Sequence, residues 1–444
     1  MGLGLFGGGV AAARFAHKRG AKVTVTDLRD AQTLAPAIEQ LADLDLEFVL
    51  GQHRARDFEQ TDLIIVSPAV PPSSRYLQLA RAAGVRVTSE IALFLDEVPA
   101  PVFAVTGTQG KSSTTHLLAQ LLGANGKRVH LGGNIGRPLL GDLEQIDAMD
   151  MCALELSSYQ LAGLPEECRR RGADAPLNGC VLTNVLSDHL ERHGTREEYA
   201  RAKLRVLELL APGATAILPA EPLPVAWEAG SGTRTLLAPG PELRIEAGGF
   251  WLEGQRLGEL SQSPFPASFQ NQNLLLALGL ARCAGIPAEA LARAIPRLQS
   301  MPHRLHQVGE LGGRPLWDNS VSTTPDSTVS ALEALPPGQV VLLGGRVKDL
   351  PLEPLIEALR TQHSQAVVFG EASEQWPARF REARIPCQSA LGPLEALKLA
   401  LDLDGAGILI SPACSSFDAF PNFQARSNAL LSLADELGLI RPSF

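Results

Sequence analysis

Short runs of aliphatic and β-branched residues recur along the chain, and each is followed by turn residues and a helix-compatible segment. In the first hundred residues these runs lie at 21–26, 63–66 and 85–88, after a loop and helix predicted within residues 1–16. Alternation of strands and helices is typical of parallel sheets covered by helices. The pattern predicts an α/β protein whose first unit is Rossmann-like and ends near residue 97.

A proline-rich segment, Val98-Pro99-Ala100-Pro101, predicts a stiff linker to a second domain. The elements predicted there are strands at 102–105, 152–156 and 181–183, helices at 196–210 and 273–284, and a hairpin within 243–257. From about Trp317 the alternation resumes, with strands predicted at 340–343, 366–369 and 407–410. We therefore predict three domains, residues 1–97, 98–301 and 302–444, of which the first and third are Rossmann-like and the second opens with a strand that runs into a glycine loop.

Composition narrows the classes of partner. Among 444 residues, 39 Lys and Arg stand against 48 Asp and Glu, a formal charge of −9, which disfavours nucleic acid and anionic membranes as partners. The apolar runs are too short for a membrane-spanning helix. The six cysteines form no C-x-x-C pair, so neither a zinc site nor a disulfide framework is indicated. We expect a cytoplasmic protein that acts as a monomer.

A glycine loop follows the strand at 102–105 and reads Thr106-Gly107-Thr108-Gln109-Gly110-Lys111-Ser112-Ser113. Glycines let backbone N–H groups approach phosphate oxygens, and the start of a helix adds the positive end of its dipole. We expect Lys111 to reach the terminal phosphates, and Ser112 or Ser113 to offer a hydroxyl to Mg²⁺. Residues 107–113 are therefore predicted to bind ATP, the alternative being a tight turn with an incidental lysine.

The variant loop T-G-T-x-G-K-S resembles that of the Mur ligases and the related folylpolyglutamate synthetases. The resemblance to the glutamate-adding members continues in five further segments, in the same order: Gly132-Gly133-Asn134-Ile135-Gly136, Glu155-Leu156-Ser157-Ser158-Tyr159-Gln160, residues 184–189, Pro302-His303-Arg304 and Ser411-Pro412-Ala413-Cys414. It implies ATP-dependent ligation of D-glutamate to UDP-N-acetylmuramoyl-L-alanine, through an acyl phosphate, during synthesis of peptidoglycan precursors.

The resemblance also implies the catalytic groups. Lys111, Glu155, His189 and Lys203 are expected to be catalytic, with two Mg²⁺ ions supported by Ser112, Glu155, His189 and a carbamylated Lys203. From the residues alone, Glu155 lies in the apolar run MCALELSSYQL, where a carboxylate needs a cation. A structural salt bridge at Glu155 and an ordinary surface lysine at Lys203 are the alternatives.

The first glycines, Gly2-x-Gly4-x-x-Gly7, formally match the dinucleotide fingerprint, and Asp27 follows at a suitable distance. This match supports an alternative, an NAD(P)-dependent dehydrogenase, although the strand that should precede the glycines is missing from the sequence. In the Mur ligase interpretation the loop binds the diphosphate of the UDP-sugar, and the expected contacts are Gly7, Leu28, Arg29, Ser67, Pro68, Asn134, Ser157 and Gln160.

The remaining expected contacts lie mostly late in the chain. Those with ATP are Asn273, Arg304, Asp318 and Asn319, and those with glutamate are His189, Thr323, Lys348, Ser416 and Phe423. The sequence departs from the family here. The usual His-Asn pair before Asn273 is replaced by Phe269-Gln270, and the usual N-D-S-K-x-T segment reads Asp318-Asn319-Ser320-Val321-Ser322-Thr323. With valine at the lysine position, L-glutamate is an alternative substrate, and a non-enzymatic ATP-binding regulator is a further alternative.

Overall fold

The computed structural model describes residues 1–171, 175–186, 188–228, 232–348 and 350–441. Two compact units are present: Met1–Pro264 with Gln272–Leu298, and Phe265–Asn271 with Gln299–Phe444. Parallel strands covered by helices dominate both units, which confirms the predicted α/β class. In these ranges no helix combines the length and apolar character needed to cross a bilayer.

The N-terminal part of the first unit alternates short helices and strands: α1 (Gly8–Lys18), β1 (Thr24–Asp27), α2 (Ala35–Glu39), β2 (Glu47–Leu50), α3 (Arg56–Glu59), β3 (Leu63–Ile65), α4 (Arg75–Ala82), β4 (Arg86–Thr88) and α5 (Glu90–Glu97). Strand β1 pairs in parallel with β2, and β3 with β4. The predicted strands at 21–26, 63–66 and 85–88 are therefore confirmed; β3 and β4 are one residue shorter than predicted, and β1 begins and ends later.

The first two residues connect these two pairs of strands through the backbone. The amino group of Met1 donates to Ile65 O at 2.9 Å, the N–H of Gly2 donates to Thr26 O at 2.8 Å, and Ser67 N–H donates to Met1 O at 3.0 Å. Met1 and Gly2 thus lie between β1 and β3 and bond to both.

The central part of the first unit is larger. Its elements are β5 (Val102–Thr106), α6 (Lys111–Leu122), β6 (Val129–Gly133), β7 (Met151–Glu155), α7 (Ser158–Leu161), α8 (Leu164–Arg171), β8 (Leu177–Leu182), α9 (Leu190–His193), α10 (Arg196–Leu204), β9 (Leu210–Pro219), β10 (Arg234–Ala238), β11 (Leu243–Glu246), β12 (Gly249–Leu252), β13 (Gln255–Glu259), α11 (Ser268–Cys283) and α12 (Ala288–Ala294). Helix α11 begins in the second unit.

Across the described strands, the central sheet has the order β10-β9-β8-β5-β7-β6 and is parallel throughout. Strands β5 and β7 are entirely buried, as expected for apolar runs with helices on both faces. Because β5, β7 and β8 are neighbours, the loops at their carboxyl ends meet at one edge. That edge is where open α/β sheets bind ligands.

Several predicted elements have different bounds; the helix expected over 273–284, for example, is Ser268–Cys283, and the strand expected at 181–183 is Leu177–Leu182. The hairpin within 243–257 is a three-stranded antiparallel meander, since β12 pairs with both β11 and β13. The helix expected over 196–210 ends at Leu204 and continues as a 3-10 turn, Arg205–Leu209. None of these differences moves a predicted site residue out of its element.

Two thiols lie inside the central sheet. Cys152 on β7 and Cys180 on β8 are fully buried on either side of β5, paired in register with Val102 and Ala104. Burial raises the pKa of each thiol to about 12. All six cysteines are free thiols.

The second unit contains β14 (His306–Leu311), β15 (Arg314–Asp318), α13 (Pro325–Ala334), β16 (Gln339–Gly344), α14 (Glu353–Thr361), β17 (Gln365–Phe369), α15 (Trp376–Glu382), β18 (Cys387–Ala390), α16 (Pro393–Leu401), β19 (Gly407–Ile410) and α17 (Phe423–Glu436). Its described strands form one sheet of order β14-β15-β19-β16-β17-β18, in which only β14 is antiparallel to its neighbour. The strands predicted at 340–343, 366–369 and 407–410 are confirmed.

Candidate active site

The glycine loop between β5 and α6 needs two glycines for steric reasons. Gly107 has φ 142°, and a Cβ there would lie 1.9 Å from Thr183 Oγ1; at Gly110, with φ 79°, a Cβ would lie 2.4 Å from Asn273 Oδ1. Helix α6 starts at Lys111 and has no side-chain cap. Its first N–H groups and the positive end of its dipole are therefore suited to an anion.

The two residues that follow β8, Thr183 and Asn184, support this loop. Asn184 O accepts from Thr108 N at 3.0 Å, and Asn184 Oδ1 accepts from Gln109 N at 3.0 Å. Thr183 Oγ1 donates to Gln109 O at 2.6 Å. The Lys111 ammonium folds back to Thr108 O at 2.8 Å. The loop is thus held in shape by neighbouring protein groups, as a preformed phosphate site requires.

Glu155, the last residue of β7, is buried at 1% exposure. Its Oε1 accepts from Asn134 Nδ2 at 2.8 Å, whereas no described group donates a hydrogen bond to its buried Oε2. An unpartnered carboxylate oxygen is costly in such a place. Within the described residues no salt bridge involves the Glu155 carboxylate. The arrangement is therefore suited to a cation supplied from outside the chain.

Lys203 on α10 is also buried, at 1% exposure, which excludes the surface-lysine alternative. Its Nζ donates to Gly107 O at 2.5 Å and lies 4.4 Å from the centre of the Tyr199 ring. Burial and, to a smaller extent, the nearby Lys111 lower the pKa of Lys203, and Asp188 and Glu155 oppose the shift, with a net value of about 7. The amine is therefore substantially neutral at physiological pH, which makes it nucleophilic.

His189 is placed in a polar, partly exposed corner. It has φ 51° and caps the short helix α9. Tyr159 OH lies 3.3 Å from its Nδ1, and Asp188 and Glu191 lie 3.5 and 3.6 Å from its ring nitrogens. In the described ranges no three His, Cys, Asp or Glu side chains form a ready metal cluster. The predicted metal set consists instead of Ser112 on α6, Glu155 at the end of β7, His189 before α9 and Lys203 on α10.

The predicted UDP-sugar residues lie in the same unit, five of them in its N-terminal part and Asn134, Ser157 and Gln160 in its central part. Gly7, with φ 86°, precedes α1, and a Cβ there would meet Pro138 at 3.3 Å. Arg29 Nη2 pairs with Asp27 Oδ2 at 3.0 Å, and the same oxygen accepts from Gly4 N at 3.2 Å. The Asp27 carboxylate is therefore already engaged, which disfavours it as the ribose-binding acid of a dehydrogenase.

The other residues predicted to contact the UDP-sugar are placed as follows. Leu28 is exposed, and Ser67 and Pro68 follow β3, where Pro68 O accepts from Arg192 Nη2 at 3.2 Å. Ser157 and Gln160 form a capping box at the start of α7, in which Gln160 Oε1 accepts from Ser157 N at 2.9 Å. The capping box fixes both side chains to each other rather than leaving them free.

The residues of the second unit that are predicted to contact ATP or glutamate differ in how deeply they are buried. Asp318, Asn319 and Ser416 are buried, whereas Lys348 is exposed; Arg304, Thr323 and Phe423 are half-buried. Asn273, by contrast, is buried in the first unit beside Gly110. Asp318 Oδ2 binds His303 Nδ1 at 2.6 Å and Ser427 Oγ at 2.9 Å, and Asp318 Oδ1 accepts from Ser320 N at 3.0 Å.

Sequence reasoning missed several residues that the structure places at these sites. Thr183 supports the phosphate loop, Tyr159 and Tyr199 surround His189, and Arg426 is buried under the loop of Ser415. One signal was available, because Arg426 falls on the apolar face of its helix, four residues before Leu430.

Comparison with known proteins gives consistent matches. The family model of the MurD-like Mur ligase N-terminal domain matches residues 1–89, and that of the Mur ligase middle domain matches residues 105–228. A UDP-N-acetylmuramoylalanine--D-glutamate ligase of Geotalea uraniireducens is 35% identical over 98% of this chain and 96% of its own length.

Solved structures show the same fold at lower identity. The UDP-N-acetylmuramate-alanine ligase MurC of Thermotoga maritima has a TM-score of 0.61 at 17% identity and covers 98% of each chain. The MurF ligase of Thermotoga maritima, solved with ADP, has a TM-score of 0.56 at 19% identity and covers 86% of this chain and 99% of its own.

Proposed function

The chain belongs to the Mur ligase family, and from this premise we propose that it ligates D-glutamate to UDP-N-acetylmuramoyl-L-alanine at the expense of ATP. One observation carries the proposal. The phosphate loop, the unpartnered oxygen of Glu155 and the buried amine of Lys203 are grouped around the carboxyl ends of β5 and β7. These groups fit a nucleoside triphosphate with its metal.

The chemistry is carboxyl activation. The alanine carboxylate attacks the γ-phosphorus of ATP, the bond to the bridging oxygen breaks, and ADP leaves. The neutral amine of glutamate then attacks the acyl phosphate carbon, the carbon–oxygen bond breaks, and inorganic phosphate and a proton are released. Both steps move negative charge among phosphoryl oxygens, so the protein acts by alignment and charge neutralisation.

Each group has a specific task. Lys111 and the first N–H groups of α6 stabilise charge on the transferring phosphoryl group. Glu155 and a hydroxyl of Ser112 or Ser113 would hold one Mg²⁺, and His189 with Lys203 would support a second. When bound, Mg²⁺ neutralises phosphate charge. Arg29, Ser67 and Pro68 would orient the uridine end, and Lys348, Ser416 and Phe423 would receive glutamate.

Lys203 is proposed to act as a carbamate. A neutral lysine amine can attack the carbon of CO₂ and lose a proton, which turns the side chain into an anion. Because the pKa of Lys203 is lowered to about 7, the reactive neutral fraction is large at physiological pH and rises as pH rises through that value. A carbamate would place negative charge where an ammonium would repel a metal.

The proposal includes a cytoplasmic location and a monomer without nucleic-acid or membrane partners. The competing dehydrogenase is disfavoured because Asp27 is engaged by Arg29 and Gly4. A titration of NADH or NADPH followed by fluorescence is expected to show no binding.

The deciding assay measures phosphate release from ATP in the presence of UDP-N-acetylmuramoyl-L-alanine, with D-glutamate or L-glutamate in parallel reactions and the amide product confirmed by mass. We expect turnover with D-glutamate and little without an amino acid. Exclusive use of L-glutamate would overturn the stereochemical part alone. Absence of turnover with both would overturn the proposed ligation.

A further inference from the structure

Arg426 is one of the most deeply buried side chains in the described residues, with 1% exposure. A guanidinium so deep usually pairs with a carboxylate. Within the described residues it has no ion pair and donates to backbone carbonyls instead: Nη1 to Gly344 O at 3.2 Å and Ser415 O at 3.5 Å, and Nη2 to Cys414 O at 3.2 Å. Its buried Nε has no hydrogen-bond partner there.

These carbonyls belong to two different segments. Gly344 ends β16, and Cys414 and Ser415 lie in the loop after β19. The two segments also bond directly, since Arg346 N donates to Ser415 O at 2.9 Å and Ser415 N donates to Arg346 O at 3.2 Å. Between them Gly345, with φ 123°, leaves no room for a side chain: a Cβ would lie 2.3 Å from Ser415 O and 2.9 Å from the Arg426 Nη1.

The joined segments carry the predicted glutamate contacts. Lys348 follows Gly344 by four residues, Ser416 follows Ser415 directly, and Phe423 is the first residue of α17, three before Arg426. The Arg426 guanidinium therefore connects three pieces of backbone: the end of β16, the loop after β19, and α17, which carries Arg426 itself. The predicted glutamate contacts project from these three pieces. A planar, forked donor suits this task because its N–H directions are rigid.

We propose that Arg426 is a positioning residue that sets the spacing of the amino-acid pocket by cross-linking its three backbone segments. The inference rests on the proposed function. A lysine would keep a charge there but could not donate along several fixed directions. Substitution of Arg426 therefore impairs recognition of the amino acid. KM for glutamate rises, while the KM values for ATP and for the UDP-sugar stay close to those of the parent.

The chain offers a matched control. Arg314 also donates to three backbone carbonyls of the second unit, Leu403 O at 2.5 Å, Ala400 O at 3.1 Å and Leu401 O at 3.2 Å. These lie at and after the end of α16, and none belongs to a segment with a predicted substrate contact. Loss of this side chain is expected to lower the melting temperature without changing KM for glutamate.

The experiment compares Arg426→Lys, Arg426→Met, Gly345→Ala and Arg314→Met by the three KM values, kcat and melting temperature. We expect KM for glutamate to rise about tenfold in Arg426→Lys and in Gly345→Ala, and further in Arg426→Met, with the other two KM values within about twofold. If Arg426→Met or Gly345→Ala does not fold, Arg426→Lys decides.

A folded Arg426→Lys or Gly345→Ala protein with KM for glutamate within about twofold of the parent would overturn the inference. An equal rise of KM for glutamate in Arg314→Met would also overturn the inference, because it would show that KM responds to lower stability in general. A parent without glutamate-dependent turnover would overturn the proposed function as well, whereas an active parent with unchanged variants would overturn the positioning role alone.

Discussion

The two large sheets of this protein carry buried charges at their strand ends and use them in opposite ways. In the first unit, Glu155 keeps one oxygen without a hydrogen-bond partner among the described residues, and Lys203 is held by a single backbone carbonyl. In the second unit, Asp318 is saturated by His303, Ser320 and Ser427. The first sheet keeps charge available for a ligand, and the second uses charge to fix its own backbone.

This difference has an energetic meaning. A buried charge without a full set of partners lowers stability, so it persists where it does something other than stabilise the fold. A saturated buried network, by contrast, fixes one arrangement of the elements it joins. We propose from this difference that phosphoryl chemistry depends mainly on the first sheet, and that the second sheet mainly holds contacts in place. Four predictions test this division, from the largest expected effect to the smallest.

The first prediction concerns Lys111. Lys111→Ala should lower kcat about a thousandfold, because the ammonium neutralises charge that develops during phosphoryl transfer. Binding of the UDP-sugar, measured by calorimetry, should remain nearly unchanged, since its predicted contacts lie elsewhere in the unit. Normal turnover in this variant would contradict the ATP-site assignment.

The second prediction separates the carbamate from a plain lysine. Lys203→Ala should lose about a hundredfold in kcat and recover with added formate or acetate, which restore a negative charge in the vacated space. Lys203→Arg should not recover, because the cation remains. The control is Arg201→Ala on the same helix, whose side chain is exposed and paired with Glu198. Full activity of Lys203→Ala in carbonate-free buffer would disprove the carbamate.

The third prediction tests the saturated network of the second sheet. Burial alone would raise the pKa of Asp318, but hydrogen bonds from His303 and Ser320 outweigh it and lower the pKa below its usual range. The carboxylate therefore contributes stability above the pKa of the unfolded chain, about 3.9, which is lost as pH falls through the lower folded value.

Asp318→Asn should accordingly cost about 3 kcal/mol at pH 7, and less near pH 3. Denaturant unfolding at both values measures this difference. Asp326→Asn, at an exposed position in the first turn of α13, is the matched control and should change stability little. An equal loss at both pH values would show that the charge of Asp318 is not what stabilises the network.

The fourth prediction concerns Val321, which stands where the family usually has lysine. It is half-buried, and its N–H donates to His303 O at 3.2 Å. Val321→Lys should lower KM for glutamate a few-fold, which is roughly the effect of one added cationic contact. Val321→Thr should leave KM for glutamate unchanged. A rise in KM with lysine would mean that the pocket of this chain is built around valine.

The sequence predicted the phosphate loop and the three strands around it, β5, β7 and β8, because their signals are local. The glycine loop, the strand before it and Lys111 are contiguous, and their physics follows from order along the chain. The α/β class followed from the same kind of alternation. Even so, the support that Thr183 gives to Gln109 joins residues 74 apart, and no local pattern contains such a contact.

The second sheet was less predictable because its important contacts are between distant residues. Asp318 was predicted to contact ATP, yet its carboxylate binds His303 and Ser427, the latter 109 residues away. Arg426 carried no predicted role, since one arginine on an apolar helix face reveals burial but not its carbonyl partners. For both residues the function depends on packing that composition and spacing do not encode.

The thiols enclosed by the central sheet have a practical consequence for chemical modification. With a pKa of about 12, Cys152 and Cys180 are present as thiolate in only about one molecule in 10⁵ at neutral pH. We therefore expect electrophiles and oxidants that react with thiolates to modify these two buried cysteines only slowly.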